Sequence, residues 1–117
     1  MNKKREIGEK GEEIACNFLI NLNYEIIEKN WRTGHKEIDI ICKQHDFYIF
    51  VEVKSRKSVK TGMPEESISD KKIKSVTEAA RIFLYDKKYK DIRFDVISII
   101  FKNNEEYDLL HIKDAFY

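Results

Sequence analysis

Proline occurs once in the 117 residues, glycine four times and cysteine twice. With 42% hydrophobic and 12% aromatic residues beside them, such low proline and glycine exclude a collagen-like, low-complexity or disordered chain. Two cysteines are too few for a disulfide-stapled secreted domain, and Cys16 and Cys42 each lie in an apolar pattern, where reduced thiols are usually buried. A cytoplasmic location is the expectation. No unbroken apolar run exceeds the five residues FYIFV, far below the roughly 20 of a membrane span. The opening MNKKREIGEKGEE is basic without an apolar run behind it and rich in acids, so it reads as neither a signal nor a transit peptide. His35, His45 and His111 have no metal-ligand spacing with either cysteine, which speaks against zinc. Charge of one sign is also lacking, since the net charge is +1. Between Lys54 and Lys74, however, seven bases face three acids, a stripe that could follow a phosphate backbone or belong to a solvated loop and helix start.

What remains is one compact domain, residues 1–117, long enough to bury a core without staples. Apolar residues at Ile7, Gly11, Ile14, Ala15, Phe18, Leu19 and Leu22 have the spacing of one helical face, with the stripe centred near Gly11, Phe18 and Leu22. YEIIEKNWR (24–32) reads as a strand, and EIDIIC and FYIFVEVK as a hairpin whose turn lacks glycine. SVKTGMPEES, holding Gly62 and Pro64, is the longest loop. Ser69 is a good N-cap for a second helix with Ile73, Val76, Ala80, Phe83 and Leu84 on one face. RFDVISIIF (93–101) has the continuous apolar character of a strand covered on both sides, and YDLLHI follows a turn at Asn103 and Asn104. The order α-β-β-β-α-β-β predicts an α/β fold with a mixed central sheet flanked by helices.

Against that background the acids in EIDIICKQHDFYIFVEVKSR are unusual. Strand alternation places Glu37, Asp39 and Ile41 on one face and Ile38 and Ile40 on the other, and groups Phe50, Glu52 and Lys54. With an even hairpin loop, such as a two-residue turn at His45 and Asp46, Asp39 falls opposite Glu52 and Glu37 opposite Lys54, Cβ atoms about 5 Å apart. A loop one residue longer would send Asp39 and Glu52 to opposite faces. Two carboxylates that close repel by roughly 3 kcal/mol at an effective dielectric near 20, so a cation is expected between them. Lys54 supplies part of that charge, and close carboxylate oxygens are also what hard divalent ions prefer. The competing reading is a simple cross-strand ion pair on a half-exposed strand. Both strands look buried on both faces, however, where charges are costly unless paired or metal-bound. Glu12 lies on the flank of the first helix and could reach over the sheet edge, while Glu9 and Glu13 point to solvent; Gly11 lets that helix approach closely.

The blocks GEKGEEIACNFL, NWR, EIDIIC, VEVKSR and RFDVISIIF, in that order, give the chain its resemblance to the YraN-like family. That bacterial family is expected to adopt the three-layer-like restriction-endonuclease, PD-(D/E)XK, fold and is related to Holliday junction resolvases. The resemblance runs from about Gly8 to Phe101 and implies a catalytic set of Glu12, Asp39, Glu52 and Lys54. It further implies that Asp39, Glu52, the carbonyl of Val53 and Glu12 hold Mg²⁺ or Mn²⁺ while Lys54 steadies the attacking water or the phosphate. Glu37 and Asp95 are secondary candidates, Asp95 with a salt bridge to Arg93 or a helix lysine as its competing role. Arg56, Lys57 and Lys72 are candidate DNA phosphate contacts. The implied activity is that of a hydrolase, a Mg²⁺- or Mn²⁺-dependent deoxyribonuclease, with branched or damaged DNA in repair or recombination as the candidate substrate. The alternative is a non-catalytic nucleic-acid-binding or scaffolding module that retains the nuclease fold. The family's glycine before Glu-Ile-Asp is Lys36 here, and its glutamine after the helix lysine is Ile73. Resolvases act as dimers on two-fold symmetric junctions, so a homodimer is an assembly to test, with DNA as partner and no membrane. Trp31 is expected in the core or at the sheet edge.

Overall fold

The computed structural model describes residues 3–58 and 68–116. Residues 59–67, nearly all of the loop holding Gly62 and Pro64, lie outside the described residues. The elements follow the expected order: α1 (Lys3–Asn21), β1 (Glu25–Thr33), β2 (Lys36–Gln44), β3 (Phe47–Lys57), α2 (Asp70–Leu84), β4 (Asp91–Phe101) and β5 (Tyr107–Ile112). They form a mixed five-stranded sheet in the order β1-β2-β3-β4-β5, with β3 and β4 parallel and the other neighbours antiparallel. A parallel pair needs a crossover connection, and α2 lies within it.

The helices cover opposite faces. Ala15, Cys16 and Leu19 of α1 pack on Ile40, Cys42, Ile49, Val51, Ile97 and Ile99. Val76, Ala79, Ala80, Phe83 and Leu84 of α2 pack on Ile38, Ile41, Tyr48, Phe50 and Phe94. Burial on both sides explains why β3 and β4 read as continuous apolar runs rather than alternating ones. On the α2 side Phe83 meets Trp31, Tyr48 and Phe50 edge to face, with centroids 5.3, 5.7 and 6.1 Å apart. Each such pair contributes about 0.5–1.5 kcal/mol beyond its buried area. Ser69 caps α2 as expected, its side chain accepting from Lys72 N at 3.2 Å. Among the described residues no helix is long and apolar enough to cross a membrane.

The hairpin turn holds only His45 and Asp46, with Gln44 paired to Phe47. His45 takes the left-handed φ of 57° that glycine would otherwise supply. The even loop, on which the proposed grouping of acids depends, is therefore present.

Two expectations need correction. The α1 stripe centres on Gly11, Ala15 and Leu19, whereas Leu22 is 44% exposed. Leu22 lies beyond the last helical residue, so the helical period no longer governs it, and Phe18 sits to one side against the His111 ring at 5.7 Å. Strict alternation in β2 also fails. Ile38 and Ile41 both belong to the α2-side core, while Ile40 and Cys42 belong to the α1 side. The pleat is interrupted at the level of Asp39.

Gly11 sets the distance between α1 and the sheet. A Cβ there would lie 1.7 Å from Ser55 Oγ and 2.8 Å from Ser55 Cβ. Gly11→Ala should lower the unfolding free energy by about 1–3 kcal/mol in urea despite the better helix propensity of alanine, because the strand below cannot recede. The double variant Gly11→Ala/Ser55→Gly should recover most of that loss.

Candidate functional site

The ladder between β2 and β3 ends at Ile40 and Val51, and the next residues in register are Asp39 and Glu52. At this fork the side chains take up backbone amides. Asp39 Oδ2 accepts from Val53 N at 2.8 Å, and Glu52 Oε2 accepts a longer bond from Asp39 N at 3.4 Å. An amide left without a strand partner inside a protein must find another acceptor, and here the carboxylates serve. The acids thus belong to the way the two strands separate.

Glu52 is only 2% exposed. Burial, followed by the neighbouring Asp39, pushes its carboxyl up to about 8, against the pull of Lys72. Asp39 is also raised, chiefly by burial, while the Val53 amide and Lys72 favour its charged form and Glu37 opposes it. Lys72 Nζ lies 3.4 Å from Glu52 Oε1, the one cation directly paired with Glu52 among the described residues. Asp39, Glu52, Val53, Lys54, Ile68, Ser69 and Lys72 line a cavity of about 330 Å³. Lys54 thus shares a cavity with the two acids, as alternation along β3 requires.

Glu12 approaches from α1. Its carboxyl is raised by burial and then by Asp39, and Glu37 and Glu9 act in the same direction, while the Asn30 side chain pulls it down. Its half-buried flank position is the one expected, with Glu9 and Glu13 exposed beside it. Glu37 is electrostatically close to both Asp39 and Glu12 but paired with Arg32 at 2.9 Å. Among the described residues no group of three or more His, Cys, Asp and Glu side chains is gathered tightly enough to hold a metal ion. The donors that do meet are hard oxygens, two carboxylates beside the Val53 backbone.

The model of the uncharacterised protein family UPF0102 matches residues 11–99, a span that contains Glu12, Asp39, Glu52 and Lys54. The chain belongs to UPF0102. Similar members include the UPF0102 protein of Syntrophomonas wolfei subsp. wolfei, 38% identical over 114 residues, covering 96% of this chain and 98% of the relative. That of Persephonella marina is 41% identical over 111 residues, covering 93% and 91%. That of Dictyoglomus turgidum is 42% identical over 102 residues, covering 86% of each. This is the family to which the YraN-like motifs pointed.

In this UPF0102 protein the basic candidates divide between the faces. Lys72 belongs to the acidic pair, and Arg56 follows Lys54 by two residues along β3. Lys57 instead lines a separate cavity of about 470 Å³ with Lys10, Phe101 and Lys102. Asp95 stands apart again, fully buried. Arg93 grips both of its oxygens at 2.8 and 2.9 Å, His111 Nε2 lies 2.8 Å from Oδ2, and Asp114 N donates to Oδ1 at 3.0 Å. Arg93 also donates to Tyr24 OH at 2.9 Å. Burial alone would raise the Asp95 carboxyl, but His111, Arg93 and the Asp114 amide together hold it below its ordinary value. The salt bridge to Arg93 was anticipated; His111 and Tyr24 were not, because they lie 16 and 71 residues away in sequence. Trp31 packs in the α2-side core, as expected.

Opposite pH responses follow for the two buried acids. Glu52 keeps in the folded state a proton that the unfolded chain loses near the ordinary carboxyl value of 4.5, so its contribution to stability falls as pH rises toward about 8. In metal-free buffer Glu52→Gln should raise the unfolding midpoint at about pH 9 by roughly 5–10 °C, and the gain should shrink toward about pH 5. Asp95, lowered when folded, stabilises above its ordinary value and loses that contribution as pH falls. Asp95→Asn should cost about 3–5 kcal/mol at neutral pH in denaturant titration, since it leaves Arg93 without its buried partner.

Proposed function

We propose that this protein is a metal-dependent endonuclease of the PD-(D/E)XK fold that hydrolyses DNA phosphodiester bonds. The observation that carries the proposal is the fork itself, where Asp39 and Glu52 meet in a cavity also lined by Lys54 and Lys72. Burying two adjacent carboxylates costs stability, and the cost is offset when a hard divalent cation binds between them. Asp39, Glu52 and the Val53 carbonyl would hold Mg²⁺ or Mn²⁺, with Glu12 adjacent to Asp39. Two carboxylates fit Mg²⁺, which is commonly held by one or two of them together with substrate phosphate and water. When bound, such an ion lowers the pKa of coordinated water and neutralises charge growing on the phosphate.

The chain's own residues supply the rest. The Lys54 ammonium, on the same strand face as Glu52, donates to a phosphate oxygen or orients the attacking water. Lys72, now paired with Glu52 at the cavity, would be placed to meet a backbone phosphate if another cation balanced the acids, and Arg56 would offer a further contact of that kind. Such contacts set the duplex in place without reading its sequence, which fits branched or damaged DNA better than a fixed site. A homodimer would present two such centres to a two-fold symmetric junction.

One observation favours the second reading, a non-catalytic nucleic-acid-binding module. Lys72 already compensates Glu52, so the pair can persist without a metal. Junction, flap, duplex and single-stranded DNA incubated with Mn²⁺ or Mg²⁺ separate the two. We expect cleavage by the wild type and losses of at least about 100-fold in Asp39→Ala, Glu52→Ala and Lys54→Ala. Nicking that continues unchanged in the purified variants would sink the nuclease reading. Salt-dependent binding without cleavage in either metal would establish the second.

A further inference from the structure

Asn30 lies inside β1 and yet has a φ of 51°. Left-handed backbone is rare within a strand, where it breaks the pleat; asparagine is among the few residues that tolerate it. Asn30 falls between the pairs Lys29↔Ile40 and Trp31↔Ile38, which puts it level with Asp39 on the neighbouring strand. There β2 is irregular as well, since Ile38 and Ile41 share the α2-side core. Two adjacent strands are thus distorted at one level, and that level holds the acidic pair. Backbone strain of this kind gathers at functional sites.

The side chain has a place to act. Asn30 and Glu12 line the same cavity of about 520 Å³ between α1 and β1, with Trp31 turned to the opposite face. Glu12 is half-buried there, with Asp39, Glu37 and Glu9 as its charged neighbours. The Asn30 side chain is the hydrogen-bonding neighbour of the Glu12 carboxyl in that cavity. An amide N–H is suited to this, because it donates to a carboxylate without adding charge that would compete with a metal ion.

We propose that Asn30 is a positioning residue, its left-handed backbone turning the side-chain amide toward α1 to hold the Glu12 carboxylate beside Asp39. The proposal rests on the metal-site reading above and adds a residue that no strand pattern would select. Its role resembles that of the outer partners that orient metal ligands elsewhere, whose loss weakens metal binding about 10–100-fold.

Asn30→Gly isolates the amide, because glycine takes up a positive φ without strain and the fold is kept. Its unfolding midpoint should stay within a few degrees of the wild type, whereas Asn30→Ala, which loses both features, should fall further. In metal-free protein, three-bond couplings of the Glu12 side chain should report one rotamer in the wild type and averaging in Asn30→Gly. Mn²⁺ affinity by calorimetry should weaken about 10–100-fold in the same variant. A Glu12 rotamer unchanged in Asn30→Gly overturns the proposal, as does Mn²⁺ binding of unaltered strength. Averaging of Glu12 in a protein that binds no Mn²⁺ in either form would leave the positioning intact and remove the metal-site reading instead.

Discussion

Two strands that run together through five paired positions come apart at Asp39 and Glu52, and the amides freed there are taken up by carboxylates. Much of the molecule is arranged around that separation. The backbone needs acceptors where the ladder stops, and aspartate and glutamate meet the need only by bringing negative charge into a place with little water. Charge held there must in turn be compensated, and Lys72 does so from the start of α2, while Lys54 lines the same cavity. Asparagine or glutamine could have met the same hydrogen-bonding need without charge. The presence of two carboxylates, one of them 2% exposed, is a stability cost that cation binding would relieve.

The surrounding architecture makes that cost tolerable. Each face of the sheet is sealed by a helix, and α1 is brought close by Gly11 over Ser55. A second buried acid, Asp95, is handled differently: Arg93, His111 and the Asp114 amide satisfy both of its oxygens and leave nothing for a ligand. One acid is fully compensated and ties β4 to β5 and the chain segment beyond; the other pair keeps part of its charge exposed to a cavity. Access to a cavity, rather than burial alone, separates the candidate functional acids from the structural one.

Much of this was legible from local pattern. Element order, the bounds of β5, the Ser69 cap and the turn at His45 and Asp46 follow from periodicity of 3.6 or 2 and from capping chemistry, which depend on neighbours in sequence. The grouping of Asp39, Glu52 and Lys54 was legible too, because a two-residue turn fixes register and register fixes cross-strand partners. The shift of the α1 stripe to Gly11, Ala15 and Leu19 was not, since the point of closest approach depends on what the helix lies against. Nor was the broken pleat, because Ile38 and Ile40 are identical side chains and only packing assigns them to different faces.

The sequence by itself determined which residues could form a site: three acids and a lysine, spaced so that strand and helix periodicity bring them near one another, within a chain that belongs to UPF0102. Only the tertiary structure decided how they meet. It paired Glu52 with Lys72 across the sheet-to-helix gap, tied Glu37 to Arg32, sent Lys57 to another cavity and set Asn30 level with Asp39. Those outcomes depend on the distances at which β1, β3 and the helices come to rest. Such distances arise from packing between segments remote in the chain, which local periodicity does not encode.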